Sequence, residues 1–197
     1  MIDTKCRTKF QPIFDIMAKQ LVILNITPKS ITWLAFGVGT LASLFAAGGW
    51  MISSILALWL SGLLDVLDGT VARLTGKTSK GGAYMDLILD RMVEAIYILA
   101  FTYRFPQANY AYFLFYIVVI FNFTTFIVAG ALFQNDGVKS MHYDIGIAER
   151  TETFIVFTLM ALLPSYIFPI LMTFNAIILI TGIIRFRVVL KYCKSME

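Results

Sequence analysis

The stretch DVLDGTVARLTGKTSKGGAYMDLILD, residues 65–90, decides the fold because it sets four aspartates among segments that are apolar enough to lie in a membrane. Its pattern is D-x2-D-G-x2-A-R-x8-G-x3-D-x3-D, with the aspartates at Asp65, Asp68, Asp86 and Asp90. An ionised carboxylate near hydrocarbon is costly unless a partner compensates its charge. Four such groups together would repel and protonate, or else hold cations. The function of the chain has to resolve this conflict.

The composition of the whole chain agrees with a membrane setting. Hydrophobic residues make up 59% and charged residues 14% of the sequence, and its mean hydropathy of +0.80 is far above that of a soluble domain. The chain is long enough for about six spans of roughly 20 residues each, with little left for a soluble domain. No internal repeat, low-complexity tract or long linker divides it. We therefore predict an all-α polytopic membrane protein that forms a single domain over residues 1–197.

The apolar segments set the expected number of helices. The first segment, residues 8–22, has apolar residues at helical spacing but is too charged to cross a membrane, so we predict an interfacial amphipathic helix. The alternative is a soluble amphipathic helix that packs on the end of the bundle. Thr27 and Pro28 then suit the start of a helix. Six transmembrane helices are predicted to form a bundle over 31–189, at about 31–47, 50–73, 82–103, 110–133, 150–163 and 166–189.

The positions of the basic residues predict the orientation. Of the 16 lysines and arginines, only Arg104 lies in the turns expected on the far side of the membrane. The others lie in the amino-terminal segment, in the loops 74–81 and 134–149, in the carboxyl tail, or at adjoining span ends. The positive-inside rule places both termini and both loops in the cytoplasm. We therefore expect a protein of the cytoplasmic membrane whose aspartates lie near the inner interface and open to the cytosol.

Helical geometry predicts one pocket for the four aspartates. Asp65 and Asp68 share a face of the second span, and Asp86 and Asp90 share a face of the third. The short loop between these spans predicts that they are antiparallel neighbours. Carboxylates offer oxygen ligands, which suit Mg²⁺ or Mn²⁺, whereas the single histidine, His142, lies in a distant loop. Two divalent ions would neutralise the four charges, polarise phosphoryl oxygens and stabilise a leaving pyrophosphate group.

Small residues and one arginine accompany the aspartates. Gly69 and Gly82 leave room for a ligand near the helix backbone, and Ala72 continues the small face by one turn. Arg73 lies at the cytoplasmic end of its span, and its guanidinium group is suited to binding phosphate oxygens. The alternative explanation for Gly69, Ala72 and Gly82 is close packing of helices, which small residues also permit. The spacing alone does not choose between these explanations.

The complete pattern resembles the signature of the CDP-alcohol phosphatidyltransferase family at all eight specified positions. Members of this family transfer the phosphatidyl group of a CDP-linked lipid, usually CDP-diacylglycerol, to the hydroxyl group of an alcohol and release CMP. The resemblance implies a six-helix plan, an interfacial amino-terminal helix and a homodimer. The implied partners are CDP-diacylglycerol, a small polar alcohol and the lipid bilayer, and we expect no nucleic acid.

The resemblance also implies roles for individual residues. Asp65, Asp68 and Asp86 are expected to bind metal, and Asp90 is expected to complete the metal site. Asp90 is also the expected catalytic residue, as the general base for the acceptor hydroxyl. The residues expected to bind the CDP-linked lipid are Asp68, Gly69, Ala72, Arg73 and Gly82.

Cationic residues outside the motif indicate which alcohol is the acceptor. An acceptor that carries a phosphate needs cations near the aspartates, and the candidates are Lys139, Arg150 and Arg185. Each of them also has a simpler explanation as a positive-inside charge or a snorkelling side chain. The Glu-Arg pair at the start of the fifth span, and the arginine that follows Asp90, resemble family members that use inositol phosphate. We therefore predict inositol phosphate as acceptor, with glycerol 3-phosphate as the second candidate.

Two functions of other classes compete with this interpretation. Acids within a membrane often mark the path of a transported ion, so an ion-coupled transporter is one alternative. Against it, the aspartates cluster at one end of the spans, and the deepest acid, Glu94, lies only one turn past Asp90. The other alternative is a structural membrane subunit, which does not explain why four aspartates lie together near the membrane. The family resemblance favours an enzyme over both.

Overall fold

The computed structural model describes residues 2–133 and 150–196, and every regular element in these ranges is helical. The prediction of an all-α protein is confirmed for this part of the chain. Short 3₁₀ turns at Pro106–Ala108 and Pro164–Tyr166 lie between longer helices. The α-helices are α1 (Ile2–Ile23), α2 (Pro28–Ala47), α3 (Met51–Leu74), α4 (Lys80–Arg104), α5 (Asn109–Phe133), α6 (Arg150–Leu162) and α7 (Ile167–Met196).

The contacts divide the chain into two compact units. One unit is formed by residues 3–106 and contains α1 to α4. The other is formed by residues 107–197 with the first two residues, and it contains α5 to α7. The boundary follows the end of α4, where the amide of Phe105 donates to the carbonyl of Phe101 at 2.8 Å.

Four helical segments of the described residues are long and apolar enough to cross a membrane, where the sequence predicts six. α4 has 25 residues, but its acidic and basic side chains lower its hydropathy. α6 has 13 described residues, fewer than the roughly 20 that a span needs. α7 continues past the predicted end at residue 189 because the added segment contains leucine, lysine and methionine, which are good helix formers. The four segments are Pro28–Ala47, Met51–Leu74, Pro106–Leu132 and Pro164–Lys194.

α1 begins earlier than predicted and carries apolar residues on two sides. It starts at Ile2 rather than near residue 8. On one side, Ala18 is fully buried in a cluster with apolar side chains of α2 and α3. Phe10 and Ile13, which the periodicity assigns to the same face, are instead about half exposed. α1 therefore packs on its unit with one apolar side while a second apolar side is exposed.

Polar side chains at seven-residue spacing join α3 to α2. Ser54 Oγ donates to the carbonyl of Ala42 at 2.8 Å, and Ser61 Oγ donates to the carbonyl of Ala35 at 2.7 Å. Asp68 follows Ser61 by another seven residues, so it lies on the same face of α3. The hydrogen bonds therefore set the register of α2 against the helix that carries Asp68.

The sequence predicts that the two aspartate-bearing helices are antiparallel neighbours, and the structure places α2 between them. α2 packs extensively against both, whereas α3 and α4 make few direct contacts. The reason is the small face of α2: a Cβ added to Gly39 would lie 2.7 Å from Val93 of α4 and 2.9 Å from Ser61 Oγ of α3. Carboxylates of α3 and α4 nevertheless meet near the connection between the two helices.

In the second unit, α5 and α7 approach each other closely. A Cβ added to Gly182 of α7 would lie 2.7 Å from the ring of Phe121 on α5. Asn175 is 1% exposed, and its Nδ2 donates to the carbonyl of Ala111 at 2.9 Å. The hydrogen bond places the polar side chain of Asn175 directly against the backbone of α5.

Candidate metal centre and adjoining cavity

A five-residue connection, residues 75–79, joins the two helices that carry the aspartates. α3 ends in a Schellman motif, in which the amide of Lys77 donates to the carbonyl of Ala72 at 2.9 Å and the amide of Gly76 to the carbonyl of Arg73 at 3.3 Å. Gly76 has a φ of +66°, a left-handed conformation that glycine adopts without steric cost. The chain therefore folds back at once and holds Lys77 beside the last turn of α3.

Three of the four predicted metal-binding aspartates meet at this end of the unit. One carboxylate oxygen from each of Asp65, Asp68 and Asp86 lies within 4.8 Å of the other two. Asp68 is buried and the other two are half-buried. If all three are ionised, each pair repels by on the order of 3 kcal/mol at an effective dielectric constant of about 20. A close group of hard oxygen donors with this repulsion fits a divalent cation.

Asp90 lies one turn beyond Asp86 on α4, and its carboxylate does not belong to the close group found in the described residues. The rise of the helix separates the two residues by about 6 Å along its axis. The deeper acid, Glu94, is 3% exposed and forms an ion pair with Arg91 at 2.7 Å. The single pocket of four carboxylates that the sequence predicts is thus a group of three, with Asp90 one turn away.

A cavity of about 310 Å³ adjoins the carboxylates. Asp68 and Asp86 border it, so the cavity and the close group share two side chains. Arg73 also borders it, and its Nη2 donates to Thr70 Oγ1 at 3.0 Å, which orients the guanidinium group. The five residues predicted to bind the CDP-linked lipid all line this one cavity: Asp68, Gly69, Ala72, Arg73 and Gly82.

The space around the two glycines distinguishes the explanations that the spacing left open. A Cβ added to Gly69 would meet only Arg73 Nη1, at 3.4 Å, and one added to Gly82 only Ser79 Oγ, at 3.1 Å. Among the described residues, no atom of a facing helix lies within 4 Å of either position. Gly39, by contrast, touches both neighbouring helices. Gly69 and Gly82 therefore leave room at the cavity, while Gly39 serves helix packing.

The amino-terminal ends of two helices line the cavity. Thr27 caps α2, and its Oγ1 accepts from the amide of Ser30 at 3.2 Å. Ser79 caps α4, and its Oγ accepts from the amide of Gly82 at 3.0 Å. Both caps border the cavity, which therefore receives the positive ends of two helix dipoles. Helix amino ends of this kind are suited to binding phosphate groups.

The predicted acceptor-binding residues belong to the second unit or lie outside the described residues. Arg150 begins α6, and its guanidinium carbon lies 5.3 Å from the ring centre of Phe154. Arg185 of α7 is 7% exposed, and its Nη1 donates to the backbone oxygen of Asn122 at 3.0 Å and to its Oδ1 at 2.8 Å. Lys139 lies outside the described residues.

Thr32, Lys29 and Ser79 also line the cavity, although the sequence pattern did not predict a role for them. Thr32 makes the closest contact, because its Oγ1 donates to Asp68 Oδ2 at 2.5 Å. The sequence feature that could have indicated such a contact is the seven-residue spacing of polar residues on α3 that ends at Asp68. That spacing indicates that Asp68 faces a neighbouring helix, although it does not say which residue of that helix it meets.

Comparisons with known proteins identify relatives along most of the sequence. The family model of CDP-alcohol phosphatidyltransferases matches residues 25–188. The inner membrane protein YnjF of Escherichia coli (strain K12) is 31% identical over 193 residues, which are 94% of this chain and 93% of the relative. The archaetidylinositol phosphate synthase of Pyrococcus horikoshii is 37% identical over 93 residues, which are 47% of this chain and 49% of the relative.

Solved structures of one further protein share the fold. They are crystal structures of the phosphatidylinositol phosphate synthase PgsA1 of Mycobacterium tuberculosis, one with CDP-DAG bound and one in complex with manganese and citrate. Their TM-scores are 0.74 and 0.73, and each is 20% identical to this chain. The matches cover 90% and 89% of this chain, and 94% and 88% of the solved chains.

The family match decides between the functional classes. It includes the whole aspartate motif and more than half of the chain, so the transporter and structural-subunit alternatives are set aside. The helices long enough to span a membrane and the oxygen-only carboxylate group agree with membrane chemistry that depends on a divalent cation. This chain therefore belongs to the CDP-alcohol phosphatidyltransferases, a family of metal-dependent enzymes of phospholipid synthesis.

Proposed function

We propose that this enzyme transfers the phosphatidyl group of CDP-diacylglycerol to the hydroxyl group of inositol phosphate and releases CMP. The observation that carries the proposal is the close group of Asp65, Asp68 and Asp86 beside a cavity lined by two helix amino ends. The names of the P. horikoshii relative and of PgsA1 support an inositol phosphate acceptor. Glycerol 3-phosphate is the second candidate.

Two divalent cations, Mg²⁺ or Mn²⁺, are the proposed cofactors. Asp65, Asp68 and Asp86 would hold them, and Asp90 would complete the set from the next turn of α4. When bound, the cations neutralise the carboxylates and polarise the phosphoryl oxygens of the substrate. The complex of PgsA1 with manganese supports a divalent cation in this fold.

The cavity suits the anionic diphosphate of the proposed donor. Arg73 would contact the phosphate oxygens, and the helix amino ends at Thr27 and Ser79 would add positive charge and amide donors. Gly69 and Gly82 would let the nucleotide approach the helices closely, because no facing helix fills the space in front of them. The CDP-DAG complex of PgsA1 supports a donor of this class.

In the proposed transfer, one bond to phosphorus forms and one bond to phosphorus breaks. The acceptor oxygen forms a bond to the phosphorus that carries the diacylglycerol, and the bond from this phosphorus to the bridging oxygen breaks, so that CMP leaves with the bonding electrons. The proton of the acceptor hydroxyl passes to Asp90, the proposed general base. The distance of about 6 Å along α4 between Asp86 and Asp90 supports a role for Asp90 at the acceptor side of the close group.

The phosphate of the acceptor requires cationic partners. We assign this role to Lys139, Arg150 and Arg185, since charge-assisted hydrogen bonds from such groups favour phosphate. Arg185 is held in one orientation by its two hydrogen bonds to Asn122, as a binding residue needs to be.

The proposed arrangement in the membrane is a single domain over 1–197 with six spans and both termini and the active site in the cytoplasm. α4 and α6 would supply the two additional spans. Apart from Arg104, which is its last residue, the charged residues of α4 lie at or before Glu94, and the stretch between these two residues is uncharged. The exposed side chains of Phe10 and Ile13 support an interfacial position for α1. A homodimer completes the proposal.

An acceptor panel tests the proposed function. Purified full-length protein is mixed with CDP-diacylglycerol, Mn²⁺ or Mg²⁺, and inositol phosphate, glycerol 3-phosphate or serine, and CMP release is measured. We expect release with inositol phosphate and none after chelation of the metal. Release only with glycerol 3-phosphate would transfer the assignment to the second acceptor. Absence of release with every alcohol would refute CDP-diacylglycerol as donor.

A further inference from the structure

We infer that Thr32 is a positioning residue, which holds the carboxylate of Asp68 in the orientation that binds metal. Thr32 lies in the first turns of α2, and its Oγ1 donates to Asp68 Oδ2 at 2.5 Å. Both side chains are buried, at 6% and 7% exposure. A short hydrogen bond between a hydroxyl and a carboxylate, shielded from water, is among the stronger neutral-to-charged contacts in proteins.

The single hydroxyl proton of Thr32 has two acceptors within reach. Oγ1 lies 3.1 Å from the carbonyl of Pro28, a contact that a helical threonine commonly makes to the residue four positions earlier. The carboxylate is closer and carries charge, so the proton points to Asp68. The branched side chain of a helical threonine has few allowed rotamers, and the rotamer that Thr32 adopts directs the hydroxyl across to Asp68 of α3.

The hydrogen bond reduces the freedom of Asp68 at the centre of the close carboxylate group. With Oδ2 bound to Thr32, rotation of the carboxylate about its last torsion is opposed by the loss of this contact. Hydrogen bonds of this kind to metal ligands typically change metal affinity by about 10–100-fold when they are removed. The inference rests on the proposed function only in assuming that Asp68 binds a divalent cation.

Manganese binding to the purified full-length protein, measured by electron paramagnetic resonance without lipid substrate, tests this role. We expect Thr32→Val to weaken Mn²⁺ binding by about 10–100-fold and Thr32→Ser, which keeps the hydroxyl, to retain most of the affinity. Thr40→Val is the matched control: Thr40 is on the same helix, and its Oγ1 donates to the carbonyl of Phe36 at 2.9 Å. This control should leave Mn²⁺ affinity unchanged.

The outcomes separate a positioning role from other roles. Unchanged Mn²⁺ affinity in Thr32→Val overturns the inference, and so does a rise only in the KM for CDP-diacylglycerol, which would indicate direct contact with the nucleotide. If Thr32→Val lowers the unfolding temperature, Thr32→Ala removes the hydroxyl without adding volume, and the same loss of Mn²⁺ affinity is expected. Wild-type protein that binds Mn²⁺ but releases no CMP would refute the proposed reaction and leave the role of Thr32 in place.

Discussion

Asp68 connects three parts of the site through one side chain. It belongs to the close group with Asp65 and Asp86, it borders the cavity, and it accepts a hydrogen bond from Thr32. Its position seven residues after Ser61 also ends the line of polar contacts between α2 and α3. A change at this residue therefore affects metal, substrate and helix register together.

Replacing Asp68 with asparagine should abolish turnover without unfolding the protein. Asparagine keeps the shape and an oxygen for the bond from Thr32, but it removes the charge that a divalent cation requires. Since loss of a hydrogen bond to a metal ligand costs about 10–100-fold, loss of the ligand charge should lower CMP release by more than about 100-fold. Asp15→Asn on α1 is the control and should keep wild-type activity. Retained activity in Asp68→Asn would remove the metal assignment.

Arg150→Ala tests the proposed acceptor site. A charged hydrogen bond contributes roughly 1.5–3 kcal/mol, so the KM for the phosphorylated acceptor should rise by about 10–100-fold while the KM for CDP-diacylglycerol stays unchanged. Steady-state kinetics with each substrate varied in turn measures both values. Arg150→Lys keeps the charge and should recover part of the loss. Equal increases in both KM values would contradict an acceptor role.

Individual residues of the motif could be predicted because helical periodicity fixes their mutual positions. Asp65 and Asp68 share a face at a spacing of three residues, and the short connection brings Asp86 to the same end. Thr32 could not be predicted, because its contact with Asp68 depends on the register between two helices, which tertiary packing decides. That Asp90 completes the metal site stays a prediction, because its carboxylate lies outside the close group found in the described residues.

At the scale of helices, α2 is the central element of the first unit. It packs on both α3 and α4 through a small face, and serines of α3 donate to its backbone carbonyls. The sequence predicted antiparallel neighbours at a short connection, and carboxylates of α3 and α4 do meet at that end. It did not predict that Gly39 and the alanines of α2 allow this helix to lie between them.

Gly39→Ala should destabilise the protein, because its Cβ would lie 2.7 Å from Val93 and 2.9 Å from Ser61 Oγ. Overpacking of this kind typically costs about 1–3 kcal/mol, which should appear as a lower thermal unfolding temperature in detergent. Gly37→Ala on the same helix is the matched control, since nothing lies within 4 Å of its added Cβ. Equal unfolding temperatures for the two variants would contradict the close packing at Gly39.

The ends of helices were predictable only where a residue type forces them. Pro28 marks the start of α2 because its fixed φ and missing amide suit the first helical position. α7 continues to Met196 although its lysines suggested the end of a span, because a helix can extend beyond the hydrocarbon. The sequence predicted a single apolar face for α1, whereas the structure shows one buried and one exposed apolar side. Periodicity does not show which of its apolar residues meets another helix.

At the scale of the whole molecule, the charge distribution predicts one orientation in the membrane. The carboxylates, the cavity and the basic residues Arg73 and Lys77 lie around the same short connection between α3 and α4. By the positive-inside rule we expect this connection in the cytoplasm, where a polar acceptor would have direct access to the proposed site.

Thiol labelling measures this orientation. In a Cys6→Ser variant, Cys193 near the end of α7 is half-buried and is the single remaining cysteine. A membrane-impermeant thiol reagent should label it in inverted membrane vesicles and not in right-side-out vesicles. A control with Gln107→Cys in a Cys6→Ser, Cys193→Ser background should show the opposite pattern, because Gln107 is exposed in a turn predicted on the far side. Labelling of Cys193 in right-side-out vesicles would contradict the orientation.

Among residues 2–133 and 150–196, those that line the cavity all lie between Thr27 and Asp86, and this has a consequence for biosynthesis. The ribosome translates these lining residues and the three close aspartates before it begins to translate α5 to α7. With the predicted cytoplasmic orientation, nascent chains would expose these acids to cellular magnesium while the second half of the protein is still being synthesised.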